Sequence, residues 1–296
     1  MSAVIVLAYA LGGLLGYLAA RIPALGRVWP KIVRAQLLAG AIALSIVAVW
    51  RITGLSSVLW SLVIAVVCVL IFGLAWVLTA KEPGHGGKAA LESWAAAPNT
   101  NFWVIPISAA VGGPVAATTA VIVDRLSTPV YAVWTWLLRR DAPVPQRKRS
   151  SWIDQAPVLA LLVGLALRIG GPAPEWTAWV TMIASPLLAL SGAAVFVGSA
   201  LHPTQQVDSR PGVRRWLVLT IMRVGYLVPV FFIAPDNTYK TVALLYALTI
   251  PAFLVSQLST VYGYSDPVVA AGRKWGWVVG GVGLAALIAW HLTGHI

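Results

Sequence analysis

Charge is what this 296-residue chain has least of. Aspartate and glutamate together number 9, and charged residues of both signs make up 10% of the sequence, where soluble domains carry about 25%. So little polar surface cannot clothe a water-soluble core, and 59% hydrophobic residues with a mean hydropathy of +0.84 mark an integral membrane protein. Cysteine is nearly absent as well. Cys68 stands alone inside an apolar run, which excludes an intramolecular disulfide and reads as a small hydrophobe. Histidines are few, and although His291 and His295 are one helical turn apart, no third ligand accompanies them, so no metal site is expected. No Ser-His-Asp set, paired carboxylates or phosphate loop appears, and the glycine-rich stretches "ALGGLLGYLAA" and "GGVGLAALIAW" read as close helix packing. An enzyme is not expected, and no cofactor is called for.

What the chain has in abundance is apolar runs near the roughly 20 residues that cross a bilayer. Ten are expected: Ser2 to Ala20, Ile32 to Trp50, Val58 to Leu78, Asn99 to Gly112, Val115 to Leu138, Gln155 to Ile169, Pro174 to Leu201, Val213 to Ala234, Thr241 to Tyr262 and Pro267 to Leu292. The first has no positive residue ahead of it, which reads as a retained span rather than a cleaved signal peptide. Spans of this number leave no room for a separate soluble domain. Trp50, Trp94, Trp134, Trp136 and Trp290 fall near span ends, as an interfacial belt would.

The net charge of +12 raises nucleic acid as a partner, but the basic residues sit in short loops without a basic-aromatic face, and no nucleic acid is expected. Their distribution speaks instead to the membrane. The odd-numbered loops hold sixteen lysines and arginines, with five in the stretch Arg139, Arg140, Arg147, Lys148 and Arg149; the even-numbered loops hold only Arg51, Arg168 and Lys240. By the positive-inside rule the odd loops are cytoplasmic and both termini lie outside, in the plasma membrane or, in a bacterium, the inner membrane.

Two spans are interrupted. "NTNFWVIPISAAVGGP", Asn99 to Pro114, opens on polar residues and carries Pro106 in an apolar run; the ninth span is broken by Pro251. The two are five spans apart, and division near residue 145 gives halves 1–145 and 146–296 of five spans each, so that the second inserts upside down relative to the first. Inverted repeats with a broken helix in matching positions point to a secondary transporter whose site lies near the midplane. Freed backbone at such a break is tolerated only against protein or a water-filled cavity, and half-helix N-termini favour a carboxylate. Asn99, Thr100, Asn101 and Ser108 flank Pro106, and Ser256, Gln257, Ser259 and Thr260 follow Pro251; their amides and hydroxyls can orient an anion without fixing a charge in the bilayer, or can bond their own freed backbone.

"NTNFWVIPISAAVGGPVAATTAVIVDRLSTPVYAVWTWLLRR" resembles the auxin efflux carrier family of plant carriers and bacterial carboxylate-carrier relatives, and "IPAFLVSQLSTVYGYSDPVVAAG", Ile250 to Gly272, is similar to that family's ninth span. "APVLALLVGLAL" and "RVGYLVPV" resemble its sixth and eighth. Asn101 stands where the family's glycine is usual, and Ser256 and Gln257 where asparagine or a second proline is common. The resemblance implies an all-α membrane fold of ten helices in two inverted five-helix repeats, with the fourth and ninth crossing at unwound centres as in bile-acid-transporter-like proteins. It also implies transport of small organic anions. A sodium-coupled symporter of the bile-acid-transporter kind and a non-transporting membrane sensor or scaffold are the alternatives.

Three charges fall inside spans: Asp124 and Arg125 in the fifth and Arg223 in the eighth. An unpaired charge at mid-membrane costs at least about 2.5 kcal/mol. Asp124 is therefore either a proton carrier or half of an ion pair with Arg125 or Arg223. Proton and sodium coupling both stay open, the latter through carbonyl, asparagine and threonine oxygens. Expected partners are a small organic anion and membrane lipid, and the chain is compatible with a homodimer.

Overall fold

The computed structural model describes residues 2–52, 54–80, 86–95, 97–143, 156–201, 207–250, 255 and 262–292. Among them every regular element is helical: α1 Ser2–Arg21, α2 Pro23–Trp50, α3 Leu55–Thr79, α4 Gly86–Ala95, a π-helical turn Thr100–Val104, α5 Ile105–Arg140, α6 Ala156–Gly170, α7 Thr177–Leu201, α8 Arg210–Ile233, α9 Asn237–Ala247 and α10 Pro267–Leu292. Six stretches are long and apolar enough to cross a membrane: Ser2–Arg21, Lys31–Trp50, Leu55–Thr79, Thr100–Arg140, Thr177–Gly198 and Arg210–Ile233. At about 1.5 Å per residue, even the 20-residue α1 covers the hydrocarbon core. Broad faces of exposed Val, Leu, Ile and Trp run along these helices, which suits a lipid solvent and no other.

Several boundaries differ from those read in the sequence. Residues 105–140 form one helix by hydrogen bonding, but Gly113 breaks it with φ 69° and ψ −164°, a left-handed conformation open to glycine, just before Pro114. The expected fourth and fifth spans meet at that kink. No span is expected between Leu78 and Asn99, yet α4 forms there and is buried almost throughout, because its small residues Gly87, Ala89, Ala90, Ser93 and Ala95 admit neighbouring backbones. Helix α9 starts before Thr241, since the Asp236 carboxylate accepts the backbone N–H groups of Thr238 and Tyr239 and caps it at Asn237. It stops at Ala247, well short of Pro251. Helix α6 is a 15-residue helix, shorter than the other apolar elements.

The chain divides into two compact units, and neither coincides with a sequential half. One comprises Met1–Ser61, Thr100–Arg125 and Ser150–Pro203; the other comprises Leu62–Asn99, Leu126–Arg149 and Thr204–Ile296.

In the first unit α1 lies directly on α7, and α2 packs on both α6 and α7. Glycines set these distances: a Cβ on Gly12 would fall 2.1 Å from the Leu190 carbonyl oxygen, one on Gly16 2.4 Å from that of Ala194, and one on Gly164 2.5 Å from that of Ile46. Such backbone approach is how apolar helices associate where lipid competes equally for side chains. At one end of this unit Trp50 donates to the Gly171 carbonyl and Arg51 to the Thr177 hydroxyl.

In the second unit α8 packs on α9 and α10, and α4 packs on α10. Gly212 meets the Pro267 backbone and Gly283 that of Leu248 at similarly close range, while Gly272 faces the Trp216 side chain, which a Cβ would approach to 3.1 Å. Trp94 stacks on Tyr131 with ring centroids 5.4 Å apart, and Phe72 and Trp134 complete an aromatic cluster. Trp94 and Trp134 are thus buried core residues rather than members of an interfacial belt. Phe72 and Tyr131 supply the ring contacts that hold these two tryptophans in the core.

Candidate functional site

The first break is a π-helical turn, Thr100–Val104, leading into Pro106 on α5. A π turn leaves backbone groups out of the regular ladder, and single π turns gather at functional sites. Within the first unit this turn is gripped from two sides. The Tyr9 hydroxyl on α1 donates to the Phe102 carbonyl at 2.7 Å, and Gly192 on α7 leaves room for the Phe102 side chain, whose Cβ a Cβ there would strike at 2.5 Å and whose ring it would strike at 2.9 Å. Further along, the Ser2 hydroxyl donates to the Ala110 carbonyl.

Polar side chains cluster at this turn. Thr100 and Ser108 are buried, and the Asn101 Oδ1 and Ser108 Oγ atoms have no hydrogen-bond partner among the described residues. Buried polar groups of native chains nearly always have one, so unpartnered atoms mark where water or a ligand binds. The Thr100 hydroxyl comes up to the Asp124 carboxylate without a well-formed hydrogen bond. Asp124 is paired with its chain neighbour Arg125, whose Nε also donates to the Ser45 hydroxyl at 2.8 Å. The carboxylate and guanidinium are both buried. The pair satisfies two charges at once where either alone would be costly.

The second break belongs to the second unit. Helix α9 unwinds at Leu248, and the Asn99 N–H donates to the Ile250 carbonyl at 3.0 Å, so the chain entering the first break runs beside the residue before Pro251. Asn99 Nδ2 has no partner among the described residues. Arg223, fully buried on α8, serves the frayed end of α9: its Nε donates to the Ala247 carbonyl at 3.1 Å and its Nη2 to the Thr249 carbonyl at 2.7 Å. A guanidinium at a helix C-terminus answers both the free carbonyls and the negative end of the dipole. Of the three charges inside spans, Asp124 and Arg125 thus pair with each other, and Arg223 holds backbone. Pro251, Ser256, Gln257, Ser259 and Thr260 lie outside the described residues, as do His295 and the side chain of His291.

The sequence reading missed a second polar centre in this unit, built from Glu92 on α4, Asp266 at the start of α10 and Arg215 on α8. One Nη of Arg215 donates to both Glu92 oxygens at 2.9 and 2.8 Å, and Lys88 lies 4.0 Å away one turn earlier on α4. Asp266 caps α10 by accepting from the N–H groups of Val268 and Val269. Burial pushes its carboxyl above the ordinary aspartate value, against the pull of those N–H groups and of Lys88. Nearby, Tyr264 donates to the Leu138 carbonyl at 3.1 Å, its hydroxyl pushed up to about 12 by burial and by Asp141. Asp141 accepts from the Gly87 N–H at 2.7 Å, tying the start of α4 to the end of α5. The available signal was the i,i+4 pair Lys88 and Glu92 inside an alanine-rich run, a spacing that reads equally as a solvated helix face.

Among the described residues no group of three His, Cys, Asp or Glu side chains converges. Comparison with protein-family models and with curated proteins gives no significant match.

Proposed function

We propose that this chain is a secondary carrier of small organic anions, similar to the auxin efflux carriers. In this reading it has ten membrane spans in two inverted five-helix repeats, 1–145 and 146–296, with both termini outside and the fourth and ninth spans broken. The observation that supports the reading is the 3.0 Å hydrogen bond, within the second unit, from the Asn99 N–H to the Ile250 carbonyl, the residue before Pro251. Broken helices meeting near the midplane are how such carriers present free N–H groups to an anion.

The chemistry at the breaks supports an anion of modest charge density. Asn99 and Asn101 amides and the Thr100 and Ser108 hydroxyls donate hydrogen bonds but carry no charge. Three of these residues, Asn99, Thr100 and Ser108, keep a buried donor atom without a hydrogen-bond partner among the described residues. A carboxylate bound there exchanges its water shell for amide and hydroxyl donors and leaves again without breaking a fixed ion pair. Asp124, beside Thr100, is the acid through which proton coupling would act.

The test is a thermal-shift screen of the purified chain against small carboxylates, their uncharged amides and small amines, with and without sodium. A ligand that binds the folded state raises its melting temperature, and does so further as its concentration rises above Kd. Stabilisation by carboxylates but not by the matched amides, lost in Asn101→Ala, is the expected result. Stabilisation by amines or amides instead would overturn the anion reading.

A further inference from the structure

The Glu92 and Asp266 carboxyl groups lie within hydrogen-bonding reach of each other, and both residues are shut off from water, with exposures of 2% and 3%. Every other acceptor in this centre is accounted for. The two Glu92 oxygens take an Nη of Arg215, and Asp266 Oδ1 takes two backbone N–H groups of α10. Asp266 Oδ2 is buried and has no partner among the described residues. Glu92, on the helix that packs against α10, is the acidic side chain that interacts with Asp266, and no donor reaches this oxygen among the described residues.

Two ionised carboxylates cannot rest in that arrangement, because like charges at hydrogen-bond range in a dry site disfavour the doubly charged form. The charged groups around the pair do not remove the difficulty. Lys88 on α4 and Arg215 on α8 are the cations that face it; both are largely exposed and both reach Glu92, and although Lys88 also acts on Asp266 from a distance, no ion pair to Asp266 forms among the described residues. From α10 come only the backbone N–H groups already bonded to Oδ1.

We propose that Glu92 and Asp266 form a one-proton binding site, holding a single proton between them that joins α4 to the N-terminus of α10. The proton completes an O–H···O bond to Asp266 Oδ2, and the remaining negative charge stays with Arg215 and the α10 N-terminus. The proton belongs to the pair rather than to either residue, so it binds and leaves as one event. Its route to water is short, since Arg215 and Lys88 cover the pair from the solvent side. Loss of the proton sets two charges against each other and loosens α4, whose C-terminal end leads directly to Asn99. The inference stands apart from the carrier reading, as it concerns the second unit alone.

Infrared spectroscopy of the purified full-length chain tests it, by following the band of protonated carboxyl groups as pH is raised. The wild-type chain is expected to hold one such group up to a pH well above the ordinary carboxylate range. Glu92→Gln and Asp266→Asn are each expected to lose it, because the acid left behind has its own donors and no like charge facing it. Melting temperatures confirm that each variant is folded, and Asp266→Asn keeps an oxygen for the cap. A band retained in either variant would mean that one acid holds a proton by itself, and absence of the band from the wild-type chain would mean that no proton is shared; either overturns the proposal.

Discussion

At the scale of single residues, the buried charges behave according to the partner each finds. Asp124 and Arg125 are adjacent in sequence and pair with each other, and Ser45 accepts a further hydrogen bond from the guanidinium Nε. Asp124→Asn therefore leaves a buried guanidinium without its carboxylate, and stability is expected to fall by about 3–5 kcal/mol, the usual result of breaking a buried pair from one side. A melting temperature unchanged in Asp124→Asn would remove the pair from the account. Asp266 gives the pH dependence. Its carboxyl is raised by burial, so the folded chain holds a proton that the unfolded chain has released, and this contribution to stability is present below the ordinary aspartate value and lost as pH rises through the raised one. Melting temperature measured against pH is expected to decline over that window in the wild-type chain and to decline less in Asp266→Asn. Equal slopes in the two would show that Asp266 does not titrate there. Sequence pattern could single out Asp124, Arg125 and Arg223, because a charge in an apolar run is conspicuous. It could not single out Glu92 or Asp266, whose burial comes from helices far apart in the chain.

At the scale of elements, long apolar runs were legible because hydropathy alone specifies them, and the glycine-rich stretch of α1 reads correctly as a packing face. Gly12 and Gly16 are one turn apart and both meet the backbone of α7, whereas Gly13 has only an ordinary contact with Val197, at 3.8 Å. Gly12→Ala is accordingly expected to destabilise the chain by at least about 1–3 kcal/mol, the usual cost of overpacking, and Gly13→Ala to change it little. Comparable melting temperatures for the two variants would contradict the α1–α7 packing. The π turn at Thr100–Val104 was legible from Pro106 and the polar residues around it, whereas Pro251 and the polar residues after it lie outside the described residues. The short helices were less legible: α4 is made of small residues with modest hydropathy, and α9 starts at a capping aspartate that looks like part of a loop. Tertiary packing, not local pattern, makes these two helices buried.

For the whole molecule, an all-helical membrane architecture follows from composition, and among the described residues six helices have the length and apolarity to span. The two compact units are another matter. Each is assembled from three separated stretches, so no linker or shift in composition marks a boundary, and a sequence read in order divides the chain elsewhere. Sidedness rests on the loop charges. In a Cys68→Ser background, a cysteine in the loop holding Arg147 is expected to resist an impermeant thiol reagent added outside, and one beside Lys240 to react. The reverse pattern would invert the topology. The central claim is transport of organic anions, and its most direct test is counterflow in liposomes containing the purified chain. A labelled small carboxylate outside is expected to accumulate transiently when the same unlabelled carboxylate is loaded inside, and not when the matched amide is loaded, with Asn99→Ala abolishing the effect. Vesicles that bind the carboxylate yet show no accumulation above protein-free liposomes would contradict the carrier and leave a sensor or scaffold in its place.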